Sequence, residues 1–111
     1  RCLAHNGEIN TLQGNVNWSK ARECELPAQM TPLIQNWGSD STKLDNVLEA
    51  TVYSGCSPAE ALLRMVPEAH EKNALLSEEQ HNFYEYNAAL AEPWDGPAGL
   101  SACCRRKSIC L

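Results

Sequence analysis

Apolar positions along this chain fall into short runs whose spacing changes from one to the next, and polar or Gly/Pro-rich stretches separate them. Leu3-Ala4-His5 is too short to show a period and is expected as the end of a strand. Asn6-Gly7 follows it. An Asn-Gly pair between short apolar stretches is a strong hairpin signal, because both residues tolerate the positive φ of a type I′ turn. From Thr11 as N-cap to Glu23, Leu12, Val16 and Ala21 form a rough helical stripe, diluted by Gly14 and two asparagines. Pro27 and Pro32 mark an irregular connection. The stretch NWGSDSTKLDNVLEA, from Asn36 to Ala50, reads as a loop that becomes a helix, with Asp40 or Ser41 as its cap. Leu44, Val47, Leu48 and Thr51 recur there at helical spacing.

Two later helix starts are better marked. Ser57, Pro58 and Glu60 supply an N-cap, a proline at the first helical position and the acidic member of a capping box. That helix is expected to stop near Val66, because Pro67 disfavours α conformation in the residue before it. Ser77 and Gln80 repeat the capping box and open a helix to about Ala91, with Phe83, Tyr86, Ala89 and Leu90 as its buried face. EPWDGPAGL, from Glu92 to Leu100, turns sharply and leads into a strand from Pro97. The pattern predicts an α+β chain, mostly helices with one or two strands.

With 111 residues the chain suffices for one small domain. A net charge of -5 argues against a nucleic-acid or anionic-membrane partner. No apolar run approaches the roughly 18 to 20 residues of a membrane span. Arg1 in place of Met is expected of a processed chain or a fragment. The six cysteines do not form a disulfide framework: Cys2, Cys24 and Cys56 are scattered, and Cys103, Cys104 and Cys110 crowd the end. There is no CxxC pair and no histidine at finger-like spacing, so no metal site is read. His70 and His81 read as surface helix residues. Glu78 and Glu79 complement a helix dipole, and Glu68, Glu71 and Glu92 read as a solvated surface.

Four blocks carry more information together: LAHNGEINTLQGNVNW (3–18), GSDSTKLDNVLE (38–49), MVPEA (65–69) and FYEYNAALAEPWDGPAGL (83–100). In this order they resemble the glutaminase domain of the glutamate synthases, a class II glutamine amidotransferase domain. The resemblance covers about residues 3 to 100. It implies a fragment of an N-terminal-nucleophile αββα sandwich, with a partial amidotransferase domain over 1–102; the Cys- and Arg-rich residues 103–111 depart from the family and are expected as a divergent, disordered tail. It also implies that ammonia is released from glutamine for glutamate formation from 2-oxoglutarate. In that family an N-terminal cysteine attacks the glutamine amide, and the tetrahedral intermediate needs an oxyanion hole. The implied donors are the Asn6 side-chain amide and the Gly7 backbone N–H. Asp40 is implied to hold the substrate's α-ammonium, although a carboxylate there also suits an ordinary helix cap. Gly38 is implied to let substrate approach the backbone. Trp94, Asp95 and Gly96 are expected to fix the turn into the next strand, and His5 is assigned to packing or backbone hydrogen bonding.

The chain also departs from the family pattern. The family nucleophile is the first residue of the mature enzyme, far upstream of the Asn-Gly block, whereas Cys2 lies just before it and behind Arg1. The arginine that holds the substrate carboxylate is likewise expected upstream. The isolated chain is therefore expected to be inactive, with no cofactor of its own. FMN and an iron-sulfur cluster are implied for the full-length parent, and the remainder of that chain and glutamine are the implied partners. The implied location is the cytoplasm or plastid stroma. A different class of reading is a non-catalytic, helical interaction module derived from the same domain.

Overall fold

The computed structural model describes residues 2–96, 98–104 and 107–110, with backbone alone at 2, 98, 102–104 and 107–110. In chain order they form β1 (Cys2–Gly7), α1 (Leu12–Ala21), two short 3-10 turns (Glu23–Glu25 and Ala28–Met30), α2 (Asp40–Tyr53), α3 (Pro58–Met65), α4 (Glu78–Leu90), β2 (Ala98–Cys104) and β3 (Lys107–Cys110). The strands make one antiparallel sheet in the order β1-β2-β3. The fold is α+β, with three strands where the sequence pattern gave one or two. Cys103, Cys104 and Lys107–Cys110 lie in β2 and β3, so the segment expected to be a disordered tail enters the sheet. Arg105, Arg106 and Leu111, and the strand start expected at Pro97, lie outside the described residues.

Local capping chemistry sets the helix starts. Ser77 accepts from the Gln80 N–H while Gln80 Oε1 accepts from the Ser77 N–H at 2.8 Å, closing a capping box. Ser57 accepts from the Glu60 N–H, but the Glu60 carboxylate turns to Arg64 one turn on, so the box expected there is only half formed. The cap of α2 is Ser39, whose hydroxyl accepts from the Thr42 N–H at 3.2 Å. Asp40, expected as a possible cap together with Ser41, is instead the first helical residue. Its carboxylate is thereby freed from capping for other contacts.

α2 lies between two apolar clusters. Leu44 and Leu48, one turn apart, face a cluster completed by Ile9, Ala61, Leu62, Met65, Trp94 and Leu100. Ala50 faces a second cluster with Val16, Leu33 and Ile34, and Val47 packs against both. Each fully buried leucine contributes roughly 1.5 to 3 kcal/mol relative to exposure, which makes α2 the structural centre of the chain. α4 differs from its sequence pattern. Tyr84 and Asn87 are its buried residues, while Tyr86 is 66% and Leu90 45% exposed. The Tyr84 side meets the segment after α3: its hydroxyl donates to Glu68 and its ring lies 5.1 Å from that of His70. Glu68 thus holds a partner rather than only solvent. His70 sits in the loop after α3 rather than on a helix.

Candidate functional site

The strand β1 runs through the Asn6-Gly7 pair. Asn6 stands opposite Gly99 and Gly7 opposite Ala98, in a strand from the far end of the chain. The pair is therefore not the two-residue hairpin turn expected from its composition. A type I′ turn needs positive φ at both central residues, and here only Gly7 has it, at +127°. Pairing with β2 overrides the local preference for a two-residue turn. The Asn6 side chain is exposed, and among the described residues its amide makes no hydrogen bond. Among the described residues it is an unpartnered donor at the end of a paired strand.

What fixes that strand end is the turn at residues 92–96. Thr11 Oγ1 accepts from the Asp95 N–H at 2.9 Å and lies 2.9 Å from the Pro93 carbonyl and 2.8 Å from Asn15 Oδ1. Asn15, buried to 1% exposure, donates through Nδ2 to the Glu92 and Pro93 carbonyls. The Asn10 N–H donates to the Asp95 carbonyl at 2.7 Å, and the Trp94 N–H donates to the Met65 carbonyl at 2.7 Å. Buried polar groups need such partners, and Asn15 uses both ends of its amide. The residues expected to shape the turn before β2 thus also clamp the loop that follows Gly7. Glu92, read as a surface acid, lies with its carboxylate against Gly14. Thr11 stands at the N-cap position of α1 but makes no side-chain cap bond, because its hydroxyl is committed to the clamp.

On the other flank, β1 meets the first turn of α2. The His5 side chain is 2% exposed, and its Nδ1 lies 3.1 Å from Ser41 Oγ and 4.0 Å from Asp40 Oδ2. Asp40 Oδ1 accepts from the Ser41 N–H at 2.6 Å and from the Ser41 hydroxyl at 3.3 Å. His5 is therefore bonded through its side chain, a role that the sequence left between packing and backbone bonding. Gly38 lies in the turn that Ser39 caps, where a Cβ would lie 2.9 Å from Thr42 Cγ2. The structure brings the strand end and the α2 N-terminus together through His5. Among the described residues no hydrogen bond joins Asn6 or Gly7 directly to Asp40.

A groove of about 330 Å³ lies elsewhere among the described residues. Trp18, Leu33, Ala50, Cys56 and Asn87 are among the residues that wall it, and it includes none of Asn6, Gly7, Gly38 or Asp40. Among the described residues no group of three His, Cys, Asp or Glu side chains converges on a point that suits a metal. The side chains of Cys103, Cys104 and Cys110 lie outside the described residues. No described helix is long and apolar enough to cross a membrane.

Comparison with known proteins agrees with the ordered blocks. The large chain of the NADPH glutamate synthase of Bacillus subtilis is 43% identical over 109 residues, covering 91% of this chain and 7% of that protein. The ferredoxin-dependent glutamate synthase of Antithamnion is 46% identical over 88% of this chain and 7% of its own length. The NADH glutamate synthase of Saccharomyces cerevisiae is 46% identical over 91% of this chain and 5% of its own. The chain thus spans a small part of these relatives. The model of the family described as class-II glutamine amidotransferases matches residues 1–109, which reaches into the tail segment 103–111. By this match, the chain belongs to the class-II glutamine amidotransferases.

Proposed function

We propose that the chain is part of the glutaminase domain of a glutamate synthase, where it stabilises charge and grips substrate while ammonia is released from glutamine. The observation that carries this reading is the unpartnered Asn6 amide at a clamped strand end, beside a glycine at φ +127°, in a member of the amidotransferase family. When a thiolate attacks the glutamine amide, the carbonyl oxygen gains negative charge. Donors already fixed toward it stabilise that charge without reorganising. The Asn6 side-chain amide and the Gly7 N–H take this role. Asp40 Oδ2 takes the substrate's α-ammonium, and Gly38 keeps the approach to Asp40 open. The attacking thiolate comes from outside these residues, and the ammonia goes on to form glutamate from 2-oxoglutarate.

In this reading β1, β2 and β3 belong to one sheet of an αββα sandwich, with the remainder of the synthase chain as their partner. The relatives at 43 to 46% identity are glutamate synthases, which does not favour a non-catalytic helical module. FMN and an iron-sulfur cluster are implied for such a parent, outside these residues; a cluster needs several converging thiolates, and among the described residues Cys24 is exposed, Cys56 stands apart and no donor set converges. No step in these residues runs through either group. Cytoplasm or plastid stroma suits a protein of this kind.

The test is Asn6→Ala in the full-length synthase that carries this segment. Glutamine-dependent glutamate formation falls by roughly 100- to 1000-fold, as for loss of one oxyanion donor, while the ammonia-dependent rate is kept. Equal loss of both rates overturns the assignment of Asn6.

A further inference from the structure

The structure buries an imidazole where an apolar side chain would pack at lower cost. His5 is 2% exposed at its side chain, and its Nε2 has no partner among the described residues. Desolvating a ring nitrogen without a hydrogen bond is unfavourable, and leucine or phenylalanine avoids that cost in a purely structural position. What the imidazole supplies is its other nitrogen, aimed at Ser41. The Ser41 hydroxyl has one proton and lies 3.3 Å from Asp40 Oδ1, which can only accept. With that proton directed to Asp40, His5 Nδ1 is the donor to Ser41 Oγ at 3.1 Å. The chain of bonds runs from His5 to Ser41 to Asp40.

We propose that His5 is a positioning residue for glutamine: through Ser41 it holds the Asp40 carboxylate in place and locks the first turn of α2 to the strand that ends in Asn6 and Gly7. This rests on the glutaminase reading given above. Asp40 Oδ1 is engaged by the Ser41 N–H and hydroxyl, which fixes the rotation of the carboxylate and leaves Oδ2 for the substrate. His5 and Asn6 are consecutive in a strand, so their side chains point to opposite faces. One is buried against α2, and the other is exposed as a free donor. The bond from His5 thus ties the residue next to Asn6 to the turn that carries Asp40, so a shift of β1 against α2 moves the two groups relative to each other. A displacement of about 1 Å between such elements is enough to cost on the order of a hundredfold in rate.

The experiment uses the full-length synthase carrying this segment, with glutamine-dependent and ammonia-dependent rates measured for each variant. Ser41→Ala and His5→Ala each raise the glutamine KM by about 5- to 20-fold, the scale of one lost hydrogen bond to a charged network, and leave the ammonia-dependent rate unchanged. The double variant goes no further than the larger single effect, because both break the same chain of bonds. His5→Asn, which can present an N–H near the position of Nδ1, recovers most of the affinity, whereas His5→Leu fills the space and does not. Recovery by His5→Leu equal to that by His5→Asn shows packing alone and overturns the proposal. If His5→Ala loses both rates through misfolding, Ser41→Ala decides: an unchanged glutamine KM overturns the proposal, and a raised one supports it. Asp40→Ala separates the two levels of inference. A raised KM there with no effect of Ser41→Ala defeats the positioning role alone, and an unchanged KM in Asp40→Ala defeats the glutaminase reading with it.

Discussion

Two glycines of this chain look equally intolerant of a side chain and should respond in opposite ways to one. A Cβ at Gly96 would lie 2.0 Å from the Glu8 carbonyl oxygen and 3.1 Å from the Asn10 nitrogen. A Cβ at Gly14 would lie 1.7 Å from Glu92 Oε2. The first obstacle is backbone, and the second is the tip of a flexible side chain. Glu92 can swing aside, and Gly14 is inside α1, where alanine is favoured over glycine by roughly 0.5 to 1 kcal/mol. Gly14→Ala is therefore expected to be neutral or slightly stabilising. At Gly96, relief requires a backbone shift that breaks the Asn10 N–H to Asp95 bond and the Asp95 N–H to Thr11 bond. These contribute about 1 kcal/mol each, since their surroundings are exposed. A φ of +153° adds strain of about 1 to 2 kcal/mol for a residue with a Cβ. Gly96→Ala thus costs about 3 to 4 kcal/mol on this sum. Because the broken bonds hold the loop after Gly7, the variant also loses glutamine-dependent activity before ammonia-dependent activity. Both variants are made in the full-length synthase, followed by thermal unfolding, limited proteolysis and the two rates. Wild-type stability and glutamine turnover in Gly96→Ala would refute the reasoning, as would damage in Gly14→Ala equal to that in Gly96→Ala.

Leu62→Ala, at a side chain 1% exposed between α2 and Trp94, destabilises the domain by about 2 to 5 kcal/mol in equilibrium unfolding. Ser77→Ala removes the only reciprocal capping box among the described helices and costs about 1 kcal/mol, read in the same assay. Burial, with Glu68 beside it, pushes the Tyr84 phenol above its usual value of 10.0. The folded state thus keeps this proton after the unfolded state has lost it, so the stabilisation is fully present below about pH 10 and fades as pH rises further. Tyr84→Phe should flatten the fall in stability above that pH, and an unchanged pH profile contradicts the assignment. The 111-residue chain purified by itself is expected to release no glutamate from glutamine, and turnover with labelling of Cys2 by a glutamine-analogue electrophile contradicts this.

The sequence by itself determined the features that depend on neighbours a few residues apart. Ser57, Ser77 and Pro67 place the ends of α3 and the start of α4 because a cap or a proline acts within one turn. The ordered blocks determined the family, and with it the interest of Asn6, Gly7 and Asp40. Tertiary structure decided the rest, because the relevant partners lie far apart in the chain. Asn6-Gly7 has the composition of a hairpin, yet residues 98 and 99 draw it into a strand. Thr11 reads as a cap, yet the turn at 93–95 takes its hydroxyl. The periodicity of α4 offers Tyr86 and Leu90 as the buried face, yet the loop holding Glu68 and His70 sits against Tyr84. The bond from His5 to Ser41 spans 36 residues, and no local pattern of polar and apolar positions encodes it. Helix termini are local events, whereas sheet pairing and buried hydrogen bonds form only when the folded chain brings distant groups within about 3 Å of each other.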